Sequence, residues 1–336
     1  MTRLLLAAFL LPAVALALLP GLTIYGDPGS DSGAYWTYRD TVNDTVFDQA
    51  GMLYKPAGVD TYPGVIISHG MGGSAFVYGA QMGREMRPWG LVCIATHYTH
   101  AGGVPPGSPG DSTMPGASRA NVQRAMTCWR VLASLEYVDT ARIAAHGNSA
   151  GAFVTGGLTG THPDVFKVAS HTAGGVNDDR EPWTKSWQAE SISCPYQMHH
   201  GDLDTHVPLD DDERMDSILG ANRVKHELVV YAGRGHDIGR DTMMLRLVRE
   251  WYTEHGLFDT STVAIEEKAE GRWMKDERRM PTVAGASDLA RFKGRVFDMT
   301  GRHVTDKKRA QASGIYFVQP LAVGRESPVR KVVIPD

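Results

Sequence analysis

The sequence predicts an α/β domain, a mostly parallel central sheet flanked by helices, followed by a small C-terminal β module. Three observations predict it. The apolar runs "GVIISHG", "LVCIATH", "RIAAHG", "VASHTAGG", "PYQMHHGD" and "ELVVYAG" are continuous rather than alternating, as strands buried on both faces require. Helix-period segments lie between several of them, the alternation that builds a parallel sheet. Most of the runs close on glycine or histidine, so polar groups collect at the carboxyl ends of strands, where open α/β sheets place ligands.

In chain order, "MTRLLLAAFLLPAVALALLPG" has one early positive charge, Arg3, then an apolar stretch, then small residues near Ala15 and Ala17. That pattern reads as a secretory signal over 1–17, reaching at most to about residue 25. The competing reading is an uncleaved membrane anchor, against which Pro12 and Pro20 interrupt the run. Residues 35–55 read as two antiparallel edge strands. "SRANVQRAMTCWRVLASLEY" places Val122, Met126, Trp129 and Leu132 on one helical face, with Ser118 as N-cap. "DDDERMDSILG" opens with acids, as a helix start prefers; Asp210 to Glu213 read as a solvated helix start, not a metal site. "DTMMLRLVREWYTEHG" aligns Met244, Leu247, Val248 and Trp251 and stops at Gly256.

Two segments break this order. Residues 98–118 are dense in glycine and proline, and 176–194 carry Trp183 and Trp187. Both leave the ligand-binding edge, where long loops serve as lids or binding loops. After residue 258 the character changes. Residues 259–286 are charged and aperiodic and read as a linker. "RVFDMTGRHV", "SGIYFVQP" and "SPVRKVVIP" then give three short strands within 287–336, a module too small to bury much core alone. The main α/β domain is thus expected over 30–258.

Composition excludes some function classes. The chain has 336 residues, 42% hydrophobic and 21% charged, with a net charge of −4. Neither a basic stripe nor a long single-sign run marks a nucleic-acid partner or an interaction tail. Three cysteines are too few for a disulfide framework. Cys93 reads as a buried thiol; a bridge between Cys128 and Cys194 stays open.

The chemistry centres on "RIAAHGNSAGAF". Gly147 to Gly151 form G-x-S-x-G after a strand and before a helical pattern. A tight strand-to-helix turn needs glycine in any case, but the context also suits a nucleophile held on a strained turn. A serine hydroxyl is a poor nucleophile until a base takes its proton. "YAGRGHDIG" offers His236, and "HHGDLDTHVP" offers Asp202 and Asp204. Both follow strands, so the set Ser149, Asp204, His236 can converge on one edge in the required order. Asp204 is favoured as the acid, and Asp202 as a turn residue. His199 and His200 lack spaced carboxylate partners and read as strand-end residues. The loop "HGMGGS" offers the Met71 N–H, and the turn offers the Ala150 N–H, as oxyanion donors. Trp183, Trp187 and Tyr98 are candidate substrate contacts that stack on aryl or sugar groups, with plain loop packing as the competing reading.

Over roughly residues 35–258 these motifs resemble the α/β-hydrolases, and within them dienelactone hydrolase and prolyl-oligopeptidase-related esterases. "VDTARIAAHGNSAGAF" resembles their nucleophile elbow and "SHGMGG" their oxyanion loop. "HHGDLDTHVP" is similar to their acid loop, whose aspartate four residues after histidine is Asp204 here. "VVYAGRGHD" resembles the loop that carries the catalytic histidine. The elbow departs from many lipases and polyester-cleaving relatives, which have an aromatic residue or histidine and then methionine where this chain has Asn148 and Ala150. "VFDMTGRHV", "SGIYFV" and "RKVVI" resemble the C-terminal sorting domains of bacterial type 9 secretion, which imply passage through the outer membrane, then release or surface attachment; the competing reading is a small β accessory module that packs on the main domain.

The resemblance implies a secreted, monomeric serine esterase that needs neither metal nor cofactor and takes a small-molecule or polymer ester. Ester cleavage is expected over peptide cleavage, because an alcohol leaves more easily than an amine and the stretch upstream of Tyr35 is too short to encode the gating domain expected of an oligopeptidase. The alternatives are a polyester, cutin-type or lipase activity, and a non-catalytic surface binding protein on a hydrolase scaffold.

Overall fold

A computed structural model of the chain describes residues 18–42, 45–102, 115–180 and 183–258, together with the backbone of three strands at 294–298, 314–320 and 330–334. The expected signal segment 1–17, the linker 259–286 and residues 103–114 of the first irregular segment lie outside the described residues. Among the described residues no helix is long and apolar enough to cross a membrane.

The six continuous apolar runs all form strands. They are β4 (Tyr62–Ser68), β5 (Val92–Thr96), β6 (Val138–Asn148), β7 (Val168–Thr172), β8 (Tyr196–Gly201) and β9 (His226–Tyr231). They lie in the order β5-β4-β6-β7-β8-β9, all parallel. β5, β7 and β8 are buried along their whole length, which explains why their sequences do not alternate. β2 (Ala34–Val42) and β3 (Thr45–Tyr54) form the expected antiparallel pair, and β3 joins β5 antiparallel. A short strand, β1 (Thr23–Tyr25), covers the outer edge of β2. Sequence reading had folded these residues into the apolar tail of the leader. The three late strands, β10 (Gly294–Asp298), β11 (Gly314–Pro320) and β12 (Arg330–Ile334), pair antiparallel in sequence, and β12 runs parallel to β9.

Helices cover both faces. α1 is Ala80–Met86 and follows a π-helical turn at Ala75–Gly79. α2 (Arg119–Ala133) starts where Ser118 Oγ accepts the Asn121 N–H at 3.4 Å. Its buried face differs from the expected one. Val122 and Leu132 are buried, but Ala125, Cys128 and Val131 complete the face, while Met126 and Trp129 lie on its flank. The large residues drew the expected stripe to one side, whereas small Ala125 and Cys128 permit the close approach to the sheet. α3 is Ala150–Thr161, and α4 (Ser186–Ser191) is a short helix inside the segment expected to be irregular. α5 is Leu209–Ala221. α6 (Thr242–Glu254) is capped by Asp241, which accepts the Met243 N–H at 2.8 Å; it buries Met244, Leu247, Val248 and Trp251 as expected.

Two apolar clusters result, one on each face of the sheet. Ile66, Ile94, Val131 and Met198 belong to one; Val65, Ile67, Val229 and Trp251 belong to the other. Cys93, Cys128 and Cys194 are all free and buried, so the Cys128–Cys194 bridge does not form. A polar chain is built into the floor between β6 and α6. His146 bonds Ser170 Oγ at 2.8 Å and Tyr78 Oη at 3.1 Å, and Ser170 Oγ bonds Tyr252 Oη at 2.8 Å. Burial, with a smaller push from His171, lowers His146 to about 3 and keeps it neutral.

Candidate active site

Ser149 sits between β6 and α3 with φ 54° and ψ −120°, a conformation that costs a non-glycine residue roughly 1–3 kcal/mol. Two close approaches show why the flanking residues are glycines. A Cβ at Gly147 would lie 2.1 Å from the Gly151 carbonyl oxygen, and one at Gly151 would lie 2.2 Å from the Ser68 carbonyl oxygen. Both obstacles are backbone and cannot swing away. Gly151→Ala is therefore expected to destabilise the fold by about 1–3 kcal/mol and to move the elbow off β4, read as a lower melting temperature together with lost turnover.

Asn148, beside the serine, turns to its own strand neighbour. Its Oδ1 accepts the Thr172 hydroxyl at 2.7 Å, and Ser149 N–H donates to the Thr172 carbonyl at 2.9 Å. The side chain thus pins the turn to β7.

The structure brings the three expected side chains into one chain of hydrogen bonds. His236 Nε2 is 2.9 Å from Ser149 Oγ, and His236 Nδ1 is 2.7 Å from Asp204 Oδ2. Asp204 follows β8, and its Oδ1 accepts the His206 and Val207 N–H groups at 2.8 and 3.0 Å. Burial would raise the Asp204 carboxyl, but hydrogen bonds from His200, His236 and the two amides outweigh it and hold it well below the usual range. Asp202 takes the turn role instead, accepting the Gly233 N–H at 2.6 Å. His206, which sequence reading passed over, lies over the His236 ring with centroids 4.9 Å apart. Asp204, His206 and His236 also group donor atoms closely enough to consider a metal. The hydrogen bonds from Asp204 through His236 to Ser149 have the arrangement of a Ser-His-Asp relay.

The loop after β4, the candidate for the oxyanion donors, is held from beneath. Tyr98 N–H donates to His69 Nε2 at 3.2 Å, which leaves His69 Nδ1–H to donate to the Gly70 carbonyl at 2.9 Å. Burial, reinforced by His100, lowers His69 to about 3, so it stays neutral in this double role. His100 Nε2 bonds the His69 carbonyl at 2.9 Å. A Cβ built on Gly70 would lie 3.2 Å from Ser149 Cβ, so the loop passes directly over the nucleophile. The next residue, Met71, is exposed. Ala150 opens α3, where the first amides have no partner within the helix. Among the described residues neither the Met71 nor the Ala150 N–H donates to a main-chain acceptor outside helices and strands.

The three expected aromatic contacts separate. Tyr98 is 1% exposed and bonds Ser68 Oγ at 2.8 Å under the oxyanion loop, so it supports that loop and offers no face to substrate. Its place at the end of a strand suggested an edge residue, but the chain turns it inward. Trp183 is half-buried against Phe153, 4.7 Å between ring centroids and one turn along α3 from Ser149. Trp187, on α4, is 57% exposed.

Two further expectations are overturned beside the triad. Asp212, expected in a solvated helix start, is completely buried. His200, expected to lack carboxylate partners, bonds it at 2.6 Å and stands 3.5 Å from Asp204 Oδ2. The first turn of α5 faces inward there, which a run of four acids does not reveal.

A parallel sheet, a serine on a strained strand-to-helix turn, and an acid and histidine after the later strands define an α/β-hydrolase. The chain belongs to the dienelactone hydrolase family, whose sequence profile matches residues 49–244. A search of curated protein sequences returns no match. Solved structures share the fold at low identity. The Pyrococcus horikoshii acylaminoacyl peptidase is 16% identical with a TM-score of 0.53, over 65% of this chain and 41% of that one. A Mycobacterium tuberculosis puromycin-hydrolyzing peptidase is 17% identical with a TM-score of 0.55, over 71% and 46%. A Klebsiella pneumoniae protein described as a dienelactone hydrolase is 16% identical with a TM-score of 0.50, over 66% of this chain and 99% of that one. The chain thus spans less than half the length of these two peptidases.

Proposed function

We propose that this hydrolase is a serine esterase that cleaves carboxylic esters through an acyl-enzyme. The observation that carries the reading is the continuous hydrogen-bond path from Ser149 through His236 to Asp204. His236 Nε2 takes the Ser149 proton as Oγ attacks the carbonyl carbon. Asp204 holds the Nδ1–H tautomer and balances the imidazolium. The Met71 and Ala150 N–H groups receive the oxyanion, each worth roughly 2.7–4 kcal/mol in the transition state. His236 then protonates the leaving alkoxide, and water repeats the cycle on the acyl-enzyme. Trp183, which packs on Phe153 one turn along α3 from Ser149, and the exposed Trp187 suit an aryl or sugar group on the substrate, such as an acyl ester of a cell-wall polysaccharide.

Ester is favoured over amide because an alkoxide leaves more easily than an amine. The peptidase neighbours make amide cleavage the reading to test against it. Purified protein is expected to label with a fluorophosphonate and to hydrolyse p-nitrophenyl acetate. Across acetyl, butyryl, feruloyl, polyester and aminoacyl-anilide substrates, the esters are expected to turn over at least about 100-fold faster than the anilide. Preferred anilide cleavage makes the protein a peptidase, and absence of labelling makes it a binding scaffold. The N-terminal signal pattern and the sorting-like C-terminal strands support export as a further part of this reading, checked by the intact mass of secreted protein.

A further inference from the structure

Behind the triad acid, buried polar groups continue in an unbroken line. His200 Nε2 lies 2.9 Å from the Val207 carbonyl oxygen and 3.5 Å from Asp204 Oδ2. Its Nδ1 lies 2.6 Å from Asp212 Oδ2. Asp212 Oδ1 lies 2.6 Å from His171 Nε2, and His171 Nδ1 is 2.9 Å from Tyr196 Oη. All of these side chains are fully buried.

The hydrogens of this line can be counted. A carbonyl and an ionised carboxylate only accept, so His200 Nε2 must donate. Tyr196 keeps its phenol hydrogen, since burial raises it well above its ordinary value. It can donate to His171 Nδ1, which directs the His171 Nε2–H at Asp212. Asp212 then receives one hydrogen bond from each histidine if His200 Nδ1 also donates. In that arrangement every group is satisfied, and His200 carries a hydrogen on both nitrogens.

We propose that Asp212 holds His200 as a buried imidazolium behind Asp204, making the pair a positioning device that keeps Asp204 ionised and weakens its hold on the His236 imidazolium, so that the acidic limb of activity lies at lower pH. For its kinetic consequence this rests on the serine-hydrolase reading above. A positive charge on the far side of the Asp204 carboxylate offsets part of its pull on the His236 imidazolium. Without it that pull is undiminished, and the acidic limb of activity lies at higher pH. Among the described residues other titratable groups face the line: Cys194 and Tyr252 act on Tyr196, and the His206 ring lies against His236. Asp211 on α5 is near His200, with its Oδ1 accepting an Asn177 N–H at 2.9 Å; His146 on β6 is near His171. The free energies agree in direction. Burial lowers His200, but hydrogen bonds to Asp204 and Asp212 and the Asp212 charge outweigh it and hold it at about 10. Burial raises Asp212, but His171 and His200 outweigh it and hold it below the usual range. A raised histidine stabilises the fold fully below its unfolded value and loses that stability as pH rises through about 10. The depressed carboxyl supplies stability above its ordinary range that is lost as pH falls.

Asp212→Asn tests the charge without changing the shape. The amide can donate to His200 Nδ1 and accept from His171 Nε2, so the line survives with His200 neutral. The acidic limb of kcat/KM is expected to move up by about one pH unit, and His200→Gln is expected to move it the same way. A loss of plateau rate with the limb in place, in folded variants, is the mark of a merely structural role and overturns the proposal. A second measurement needs neither turnover nor a variant fold. Side-chain 15N spectra of the wild-type full chain at about pH 8, with His200 assigned, are expected to show both of its nitrogens protonated. A neutral His200 overturns the proposal even if the esterase reading stands. Two protonated nitrogens support it even if the esterase reading fails.

Discussion

Ser149→Ala is expected to lower kcat by roughly a million-fold while the protein stays folded. The reasoning is local. Among its described partners, Ser149 Oγ bonds His236 Nε2 alone, at 2.9 Å. The His236 side chain is 26% exposed, so water can replace the lost hydroxyl and no buried polar atom is orphaned. The backbone at φ 54° is held by the Ser149 N–H bond to Thr172 and by the glycine contacts, none of which uses the hydroxyl. Stability should therefore change by less than about 0.5 kcal/mol. Residual turnover should stay above the uncatalysed rate, because the oxyanion amides and the binding surface remain. The measurement pairs steady-state hydrolysis of p-nitrophenyl acetate with fluorophosphonate labelling and a thermal melt. Undiminished hydrolysis in a folded variant moves the nucleophile elsewhere and removes the triad from the mechanism.

The parts of this site that were legible in the sequence share one property: their signal is local. A continuous apolar run ending in glycine locates a buried strand and its edge together, so β6, β8 and β9 carry Ser149, Asp204 and His236 to the one edge where they meet in hydrogen bonds. Glycines around Ser149 and His236 mark backbone that must pass close to something. Asp202 and Asp204 could be sorted because a turn needs an acceptor near its own strand.

What was illegible depends on which way an element rolls. Four consecutive acids at the start of α5 look solvated, since every surface helix prefers acids there. Only the packing of that helix on the sheet shows that Asp212 points between His171 and His200. Tyr98 lies two residues beyond the apolar strand β5, and nothing in that spacing tells a substrate platform from a buried strut. Met126 and Trp129 dominated the expected face of α2, yet Ala125 and Cys128 meet the sheet, because close packing there favours small side chains.

Asp204→Asn is expected to cost about 10⁴-fold in kcat, and the geometry gives a specific reason. Asp204 Oδ1 accepts two backbone N–H groups. An asparagine must keep its carbonyl oxygen there, since an amide NH₂ facing two N–H donors would leave three donors and no acceptor. Its NH₂ then stands where Oδ2 was, aimed at His236 Nδ1. That nitrogen has to accept, so its hydrogen moves to Nε2 and faces Ser149. A ring that presents N–H to the hydroxyl cannot take the hydroxyl's proton. The same NH₂ also faces His200 Nε2, which donates toward Val207 and Asp204, so the variant should melt lower. Asp204→Ala separates the two effects. It orphans the same amides but imposes no tautomer, leaving His236 free to place its hydrogen on Nδ1. Per folded molecule, Asp204→Ala is therefore expected to retain more activity than the more conservative Asp204→Asn. Active-site titration with a fluorophosphonate, followed by kcat per labelled site, compares them directly. If asparagine retains more activity than alanine, Asp204 acts as a packing residue and not through the His236 tautomer.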